Sequence, residues 1–332
     1  MKKKLTWMVC MALVAVLAFA MMGFAPVMDE AGGVVEGDDV FIGVLLKTRA
    51  NPYWVTMEEG INEQVGQIDG VEVEVLAAES ESDIAGQLSI MENMINSGKY
   101  DALAVAPITP NNLITGVVLA NEKGLPVVNI DEKFDMDALT EAGGYVVGYA
   151  TSDNIAVGEA GAGLIIEALG ADGGGVAIVE GQVGATSGEL RRDGCVQGLE
   201  GAENIEVLDI QPGDWDRQKS LDVATNLINK YGDELKAIFT ANDTMALGVL
   251  QAMENTGRTD IYLVSTDAND EVKEGIKEGK LVAVVQDSGS IGTQCVIMAA
   301  NAARTGNAGS VDEIPADVLI PATVVTQENV EA

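Results

Sequence analysis

VFIGVLLKTRANPYWVTMEEGINEQVGQIDGVEVEVLAA, residues 40–78, opens with an apolar run that breaks abruptly into polar and aromatic side chains. Val40 to Lys47 is short and almost continuously apolar, the pattern of a strand buried on both faces. Pro52 to about Ile68 reads as a helix, with proline in the first turn where its missing N–H costs nothing. Val71 to Ala78 is a second strand. Strand, helix and strand in this order make a βαβ unit, and the same rhythm continues outward. A helix is predicted over Asp83–Ser97, because Leu88, Met91, Met94 and Ile95 recur at spacings of three and four. Ser80 with Asp83 is the expected capping pair at its start, and Gly98 its stop. Strands at Ala102–Ile108 and Pro126–Asp131 follow, with Asn111–Lys123 helical between them.

The rhythm restarts at Tyr145. Strands are expected at Val176–Glu180, Ile205–Ile210, Ala237–Thr240, Ile261–Thr266 and Leu281–Val285. Helices are expected at Ile155–Leu169, Gly188–Leu199, Gln218–Tyr231, Thr244–Asn255 and Asp270–Glu278. Apolar strands alternating with amphipathic helices demand parallel sheets covered on both faces. The predicted fold class is therefore α/β, with two doubly wound, Rossmann-like lobes. The length of 332 residues and 47% hydrophobic content suffice for two cores.

The start of the chain stands apart. Lys2, Lys3 and Lys4 precede an uncharged apolar run through Leu13–Phe19, with small residues at Ala18 and Ala20, or Gly23 and Ala25. This is the composition of an export signal over residues 1–25, to which a retained membrane anchor is the alternative. Cys10 lacks the small residues before it that lipid attachment uses. Residues 26–39 read as an acidic, Gly-containing linker. The formal net charge of −33 repels nucleic acid and anionic lipid, and it disfavours a phosphate-rich ligand. The absence of histidine removes the commonest general base and metal ligand. Cys195 and Cys295 lie in apolar, helical surroundings and are expected as buried thiols rather than a disulfide.

The polar residues at strand ends carry the functional signal. Lys47, Asn51, Asp131, Asn242, Asp267 and Gln286 all fall at or just beyond the carboxyl ends of predicted strands, the edge where open α/β sheets bind ligands. Tyr53 and Trp54 sit beside them, in a chain only 4% aromatic. Aromatic faces cover the C–H surface of a sugar while carboxylates and amides take its hydroxyls, so this mixture points to carbohydrate. Helix capping is the competing role for Asp131 and Asp267. Arg191 and Arg192 follow the Gly-rich turn 181–188, and the residues alone do not choose between them. Gly173–Gly175 precedes a strand, so it is a turn and not a dinucleotide fingerprint. No P-loop, nucleophile elbow, CxxC pair or metal-spaced cluster is present in the sequence.

Seven segments in the same order resemble the periplasmic sugar receptors of ABC importers, the ribose/allose-binding family. They are KTRANPYW at Lys47, VNIDEKFDMDALTEAGG at Val128, SGELRRDG at Ser187, QPGDWDRQKSLDVATN at Gln211, ANDTMALGV at Ala241, STDAND at Ser265 and VVQD at Val284. The resemblance implies Lys47, Asn51, Tyr53, Trp54 and Asp131 as ligand contacts from the N-terminal lobe. Arg191, Trp215, Asn242, Asp267 and Gln286 would come from the other lobe and hinge. Arg191 is preferred to Arg192 because it stands three before Gly194, as the family's binding arginine stands before its glycine. Tyr53 departs from the phenylalanine of allose-type members. Glu132 matches them, whereas ribose-type members carry a sugar-contacting arginine there. With Lys47, this favours an allose-like hexose over ribose.

The resemblance also implies three crossings between lobes, near 144–151, 284–290 and 317–323. The lobes would be 40–144 plus 288–317, and 145–287 plus 318–332. A monomer in the periplasm, closing on a monosaccharide and docking on an ABC permease, is the expected behaviour, with no cofactor, metal or catalytic residue. The alternative in the same fold is a sensor presenting sugar to a chemoreceptor or histidine kinase. A glycosidase using Asp131 and Asp267 is the enzyme reading, which a monosaccharide-sized enclosure disfavours.

Overall fold

The computed structural model describes residues 33–331. The expected export signal and the first half of the expected linker lie outside them. In chain order the first lobe holds β1 (Val40–Thr48), α1 (Pro52–Val65), β2 (Val71–Ala78), α2 (Ile84–Ser97), β3 (Ala102–Val105), α3 (Ile114–Glu122), β4 (Val127–Ile130), α4 (Met136–Glu141) and β5 (Gly148–Ser152). The second holds α5 (Asn154–Leu169), β6 (Gly174–Glu180), α6 (Thr186–Leu199), β7 (Ile205–Pro212), α7 (Arg217–Tyr231), β8 (Leu235–Thr240), α8 (Asp243–Thr256), β9 (Tyr262–Thr266), α9 (Asp270–Lys277) and β10 (Val282–Val285). The chain then returns to the first lobe for α10 (Ser288–Thr305) and β11 (Asp317–Ile320), and re-enters the second with β12 (Thr323–Val325).

The sheets run β11-β5-β4-β3-β1-β2 and β12-β10-β9-β8-β6-β7. All pairings are parallel except that of β12 with β10. Each sheet reverses its winding between the first strand of its series and the third, β1/β3 and β6/β8. That is the switch point at which helices diverge and leave a crevice.

Alternation along the strands feeds two apolar layers per sheet. Ile42, Val44 and Leu46 of β1 face α1 and α10, while Leu45 faces α2 and α3. On β3 the small Ala102 and Ala104 lie on the α10 side, and the larger Leu103 and Val105 on the other. Small residues also let helices touch. A Cβ on Gly60 of α1 would sit 2.4 Å from Cα of Gly289, so the two helices meet backbone to backbone. In the second lobe, Ala177 and Val179 of β6 face α7 and α8, and Val176 and Ile178 face α5 and α6. Each fully buried aliphatic side chain of this kind is worth about 1.5–3 kcal/mol.

Several boundaries differ from expectation. β5 pairs with β4 and β11, so residues 145–152 belong to the first lobe rather than the second. The short turn from β4 through α4 had masked a fifth strand of the same sheet. β11 likewise belongs to the first sheet, which moves the last change of lobe from 317/318 to Pro321–Ala322. The chain therefore changes lobe at Asp153, Gln286–Asp287 and Pro321–Ala322, the first of these lying just past the expected 144–151. At α2, Asp83 is itself the cap, accepting from Gly86 N, and Ser80 contributes only its carbonyl to Asp83 N. Gly98 ends the helix in the left-handed conformation, φ 62. Cys195 and Cys295 are free and buried, and burial pushes the Cys195 thiol up to about 12. Among the described residues, no helix is long and apolar enough to cross a membrane.

Candidate functional site

Asp131 and Asp267 occupy equivalent places in the two lobes, each the first residue after the fourth strand of its series. Both are left-handed, φ 57 and φ 62. Each sends its backbone N–H onward to the neighbouring strand, Asp131 to Ala150 O at 2.8 Å and Asp267 to Val284 O at 2.9 Å. A non-glycine residue held there costs on the order of 1 kcal/mol or more. The conformation turns each carboxylate off the sheet edge into the space between the lobes. Neither serves as a helix cap: Asn269 caps α9, and Asp135 caps α4.

All ten residues expected at the site line one cavity, with about 330 Å³ not filled by protein atoms. Each wall is built by hydrogen bonds that fix what the cavity is offered. On the first lobe, Asn51 caps α1 through Oδ1, accepting from Tyr53 N at 3.1 Å. Tyr53 stands edge-on to Trp54, with ring centroids 5.0 Å apart. The Tyr53 hydroxyl donates to Asp131 Oδ1 at 2.9 Å. Burial first, and then the Asp131 and Asp267 charges, push that phenol well above its ordinary value, so it stays a donor. Lys47 is only 3% exposed, with its ammonium 5.6 Å from the Trp54 ring centre and 3.5 Å from Glu132 Oε2.

The opposite wall centres on Arg191. Its guanidinium donates to Asn154 Oδ1 at 2.7 Å, Ala241 O at 2.8 Å and Gln286 Oε1 at 2.9 Å. Three charge-assisted bonds hold the planar group flat against the cavity. Arg192, by contrast, pairs with Glu180 and Asp193 outside it. Gln286 gives its N–H and Nε2 to the two oxygens of Asp267 at 3.0 and 2.8 Å. Burial lifts the Asp267 carboxyl to about 7. Arg191 pulls it down and Asp243 pushes it up. Asn242 caps α8 with Oδ1 to Met245 N at 2.9 Å, leaving its amide nitrogen free of that duty. Trp215, also left-handed at φ 62, lays its ring over Gly181 and Gly188. A Cβ at Gly181 would meet that ring at 2.1 Å.

Two lining residues escaped the sequence reading, Glu81 and Ser187. Glu81 Oε1 accepts from Asn51 Nδ2 at 3.1 Å and Trp54 Nε1 at 3.0 Å, so it orients both. The strand-end rule that found Lys47 and Asp131 applies to it as well, since it lies just past β2. Ser187 lies in the first turn of α6, inside the segment that carries Arg191. Among the described residues, no cluster of three or more Cys, Asp or Glu is disposed to hold a metal ion.

Residues 42–308 match the family described as periplasmic binding protein domain. The chain belongs to that family. Among curated members, the D-allose-binding periplasmic protein of Escherichia coli is 42% identical over 286 residues, 86% of this chain and 91% of the relative. The ribose import binding protein of Bacillus subtilis is 33% identical, over 74% and 75% of the two chains. Among solved structures of periplasmic binding proteins, an ABC transporter solute-binding protein from Actinobacillus succinogenes with bound D-allose has a TM-score of 0.77 at 29% identity, covering 88% of this chain and 99% of that one. A Bacillus halodurans counterpart with bound myo-inositol has a TM-score of 0.74 at 26% identity, covering 89% and 97%. These relatives are binding proteins of transporters rather than enzymes, and the two-lobed α/β fold is the one they share.

Proposed function

We propose that this protein captures a monosaccharide, an allose-like hexose or a related pentose or ketose, between its lobes outside the cytoplasmic membrane. It then delivers the sugar to an ABC permease by hinge closure. The observation that carries this reading is the single cavity in which carboxylates, amides and a fixed guanidinium from both lobes surround three aromatic side chains. Sugar bound to one lobe gains contacts with the other only on closure, so binding shifts the open–closed equilibrium toward closed. An epimer leaves one of the buried polar groups unmet, at about 1–3 kcal/mol each, which is the source of selectivity. Asp131, Asp267, Asn51, Asn242 and Gln286 are each oriented by protein hydrogen bonds, and their remaining lone pairs and N–H groups are what a ligand can use. They are preorganised to hold hydroxyls rather than to move protons, and the role is binding without catalysis. Residues 1–25 fit export to the periplasm, and the protein acts as a monomer.

A thermal-shift screen of the protein lacking residues 1–25, against D-allose, D-ribose, D-psicose, D-galactose and D-xylose, tests the reading. Ligand at a hundredfold excess over Kd stabilises the native state by about 2.7 kcal/mol, a shift of several degrees. Allose is expected to give the larger shift and ribose a smaller one. A flat response to every sugar would refute the assignment.

A further inference from the structure

The α6 helix has no side-chain acceptor of its own at its start. Ala185 stands at the capping position, where an acceptor such as serine or aspartate is the usual occupant. Glu189 in its first turn reaches back only to Gly184 N, at 3.1 Å. The free N–H of Thr186 is met from the other lobe: Glu132 Oε1 accepts it at 2.7 Å, and Glu132 Oε2 accepts the Ser187 hydroxyl at 2.9 Å. Glu132 is fully buried, and its remaining partner is Lys47 of its own lobe, at 3.5 Å. Its loop is braced from below by Asn129, which donates to Glu132 O at 2.8 Å and accepts from Phe134 N at 3.0 Å.

We infer that Glu132 is a closure latch: a first-lobe carboxylate that caps the second lobe's α6 across the cleft and holds the sugar-bound protein shut. The inference rests on the capture-and-closure reading above. Its physical content is that an anion at a helix N-terminus gains from both the free N–H groups and the helix dipole, and here that gain exists only when the lobes meet. In the open protein α6 returns its N–H to water, while Lys47 remains to balance Glu132. The carboxylate is thus paired in both states, and only the second pair is conditional on closure. Glu132 is a positioning residue in this scheme: it sets how long the cavity stays shut and where the Lys47 ammonium sits.

Stopped-flow binding of D-allose to the wild type, Glu132→Gln and Ser187→Ala tests this, with radii of gyration from small-angle scattering at saturating sugar. Glutamine keeps the shape but can no longer accept from both donors. The expected result for E132Q is a koff raised about tenfold or more with kon within about threefold, and scattering that shows a fraction of open protein at saturation. S187A, which keeps the Thr186 bond and disturbs folding least, should raise koff by a smaller factor in the same direction. An unchanged koff in both variants, or an affinity loss carried entirely by kon, overturns the latch. Failure of the wild type to bind any sugar overturns the capture reading instead, so the two failures are told apart.

Discussion

Asp267→Asn exchanges one oxygen for an amide nitrogen and leaves the backbone at ease, because asparagine tolerates the left-handed conformation that Asp267 occupies at φ 62. Its main effect is to remove a buried titrating group. Burial raises the folded carboxyl from its ordinary 3.8 to about 7 against the pull of Arg191. Between about pH 4 and 7 the folded chain therefore keeps a proton that the unfolded chain has lost. The folded state binds more protons in that window, so the free energy of unfolding falls as pH rises through it. A shift of about three units, at 1.36 kcal/mol each, makes the fall about 4 kcal/mol, complete above pH 7 and absent below pH 4. The D267N protein lacks this slope. It carries instead a roughly constant loss of about 1–2 kcal/mol, because its amide nitrogen faces the Gln286 donors. Guanidinium titrations of both proteins at pH 4.5, 6 and 8 should show the wild type ahead in acid and its lead cancelled or reversed at pH 8. Sugar affinity at pH 8 should meanwhile fall by about ten- to a hundredfold in D267N. Stability curves that stay parallel across the three pH values would refute the argument that Asp267 is held ionised at a cost to folding.

Further outcomes follow from packing. Gly181→Ala places a methyl 2.1 Å from the Trp215 ring, which must swing off its platform. Because that ring is half-buried at the cavity wall and touches the second lobe's core only at its edge, sugar affinity should drop by about tenfold, with the melting temperature within a few degrees of the wild type. A G181A protein that binds as the wild type does would remove Trp215 from the site. Cys195 and Cys295 are buried with raised thiol pKa values, and only the thiolate reacts. Ellman's reagent should leave both unmodified in the folded protein and titrate both in guanidinium, and reaction of either in the native state would contradict the burial.

The strands that carry the site were legible because they are short, apolar and buried on both faces, so their limits appear as abrupt changes of composition. β2 runs over Val71–Ala78, as the sequence indicates. What was illegible shares a different character. α10 buries most of its surface, including Gly289, Gly292, Cys295 and Ala299, and its polar side is only a narrow stripe through Ser290, Gln294, Asn301 and Arg304. β11 and β12 are edge strands of four and three residues, too short for alternation to register. β5 is fully buried but went unread, and its partner β11 on the outer side lies 168 positions later, Asp317 against Tyr149.

The chemistry of the cavity was written in the chain. Residue type and place at strand ends put Lys47, Asn51, Asp131, Asn242, Asp267 and Gln286 on one edge before any contact was known, since parallel strands all point their carboxyl ends the same way. Resemblance added Arg191 and Trp215. Only the tertiary structure decided what each group has left to offer: that Tyr53 spends its hydroxyl on Asp131, that Arg191 is fixed three ways, and that Glu81 holds Asn51 and Trp54 in place. It alone set Glu132 against α6, because 54 positions of chain separate Glu132 from Thr186 and nothing local records the meeting. Composition and period are fixed within a few residues of sequence, whereas a hydrogen bond between lobes exists only once two separately built sheets face each other.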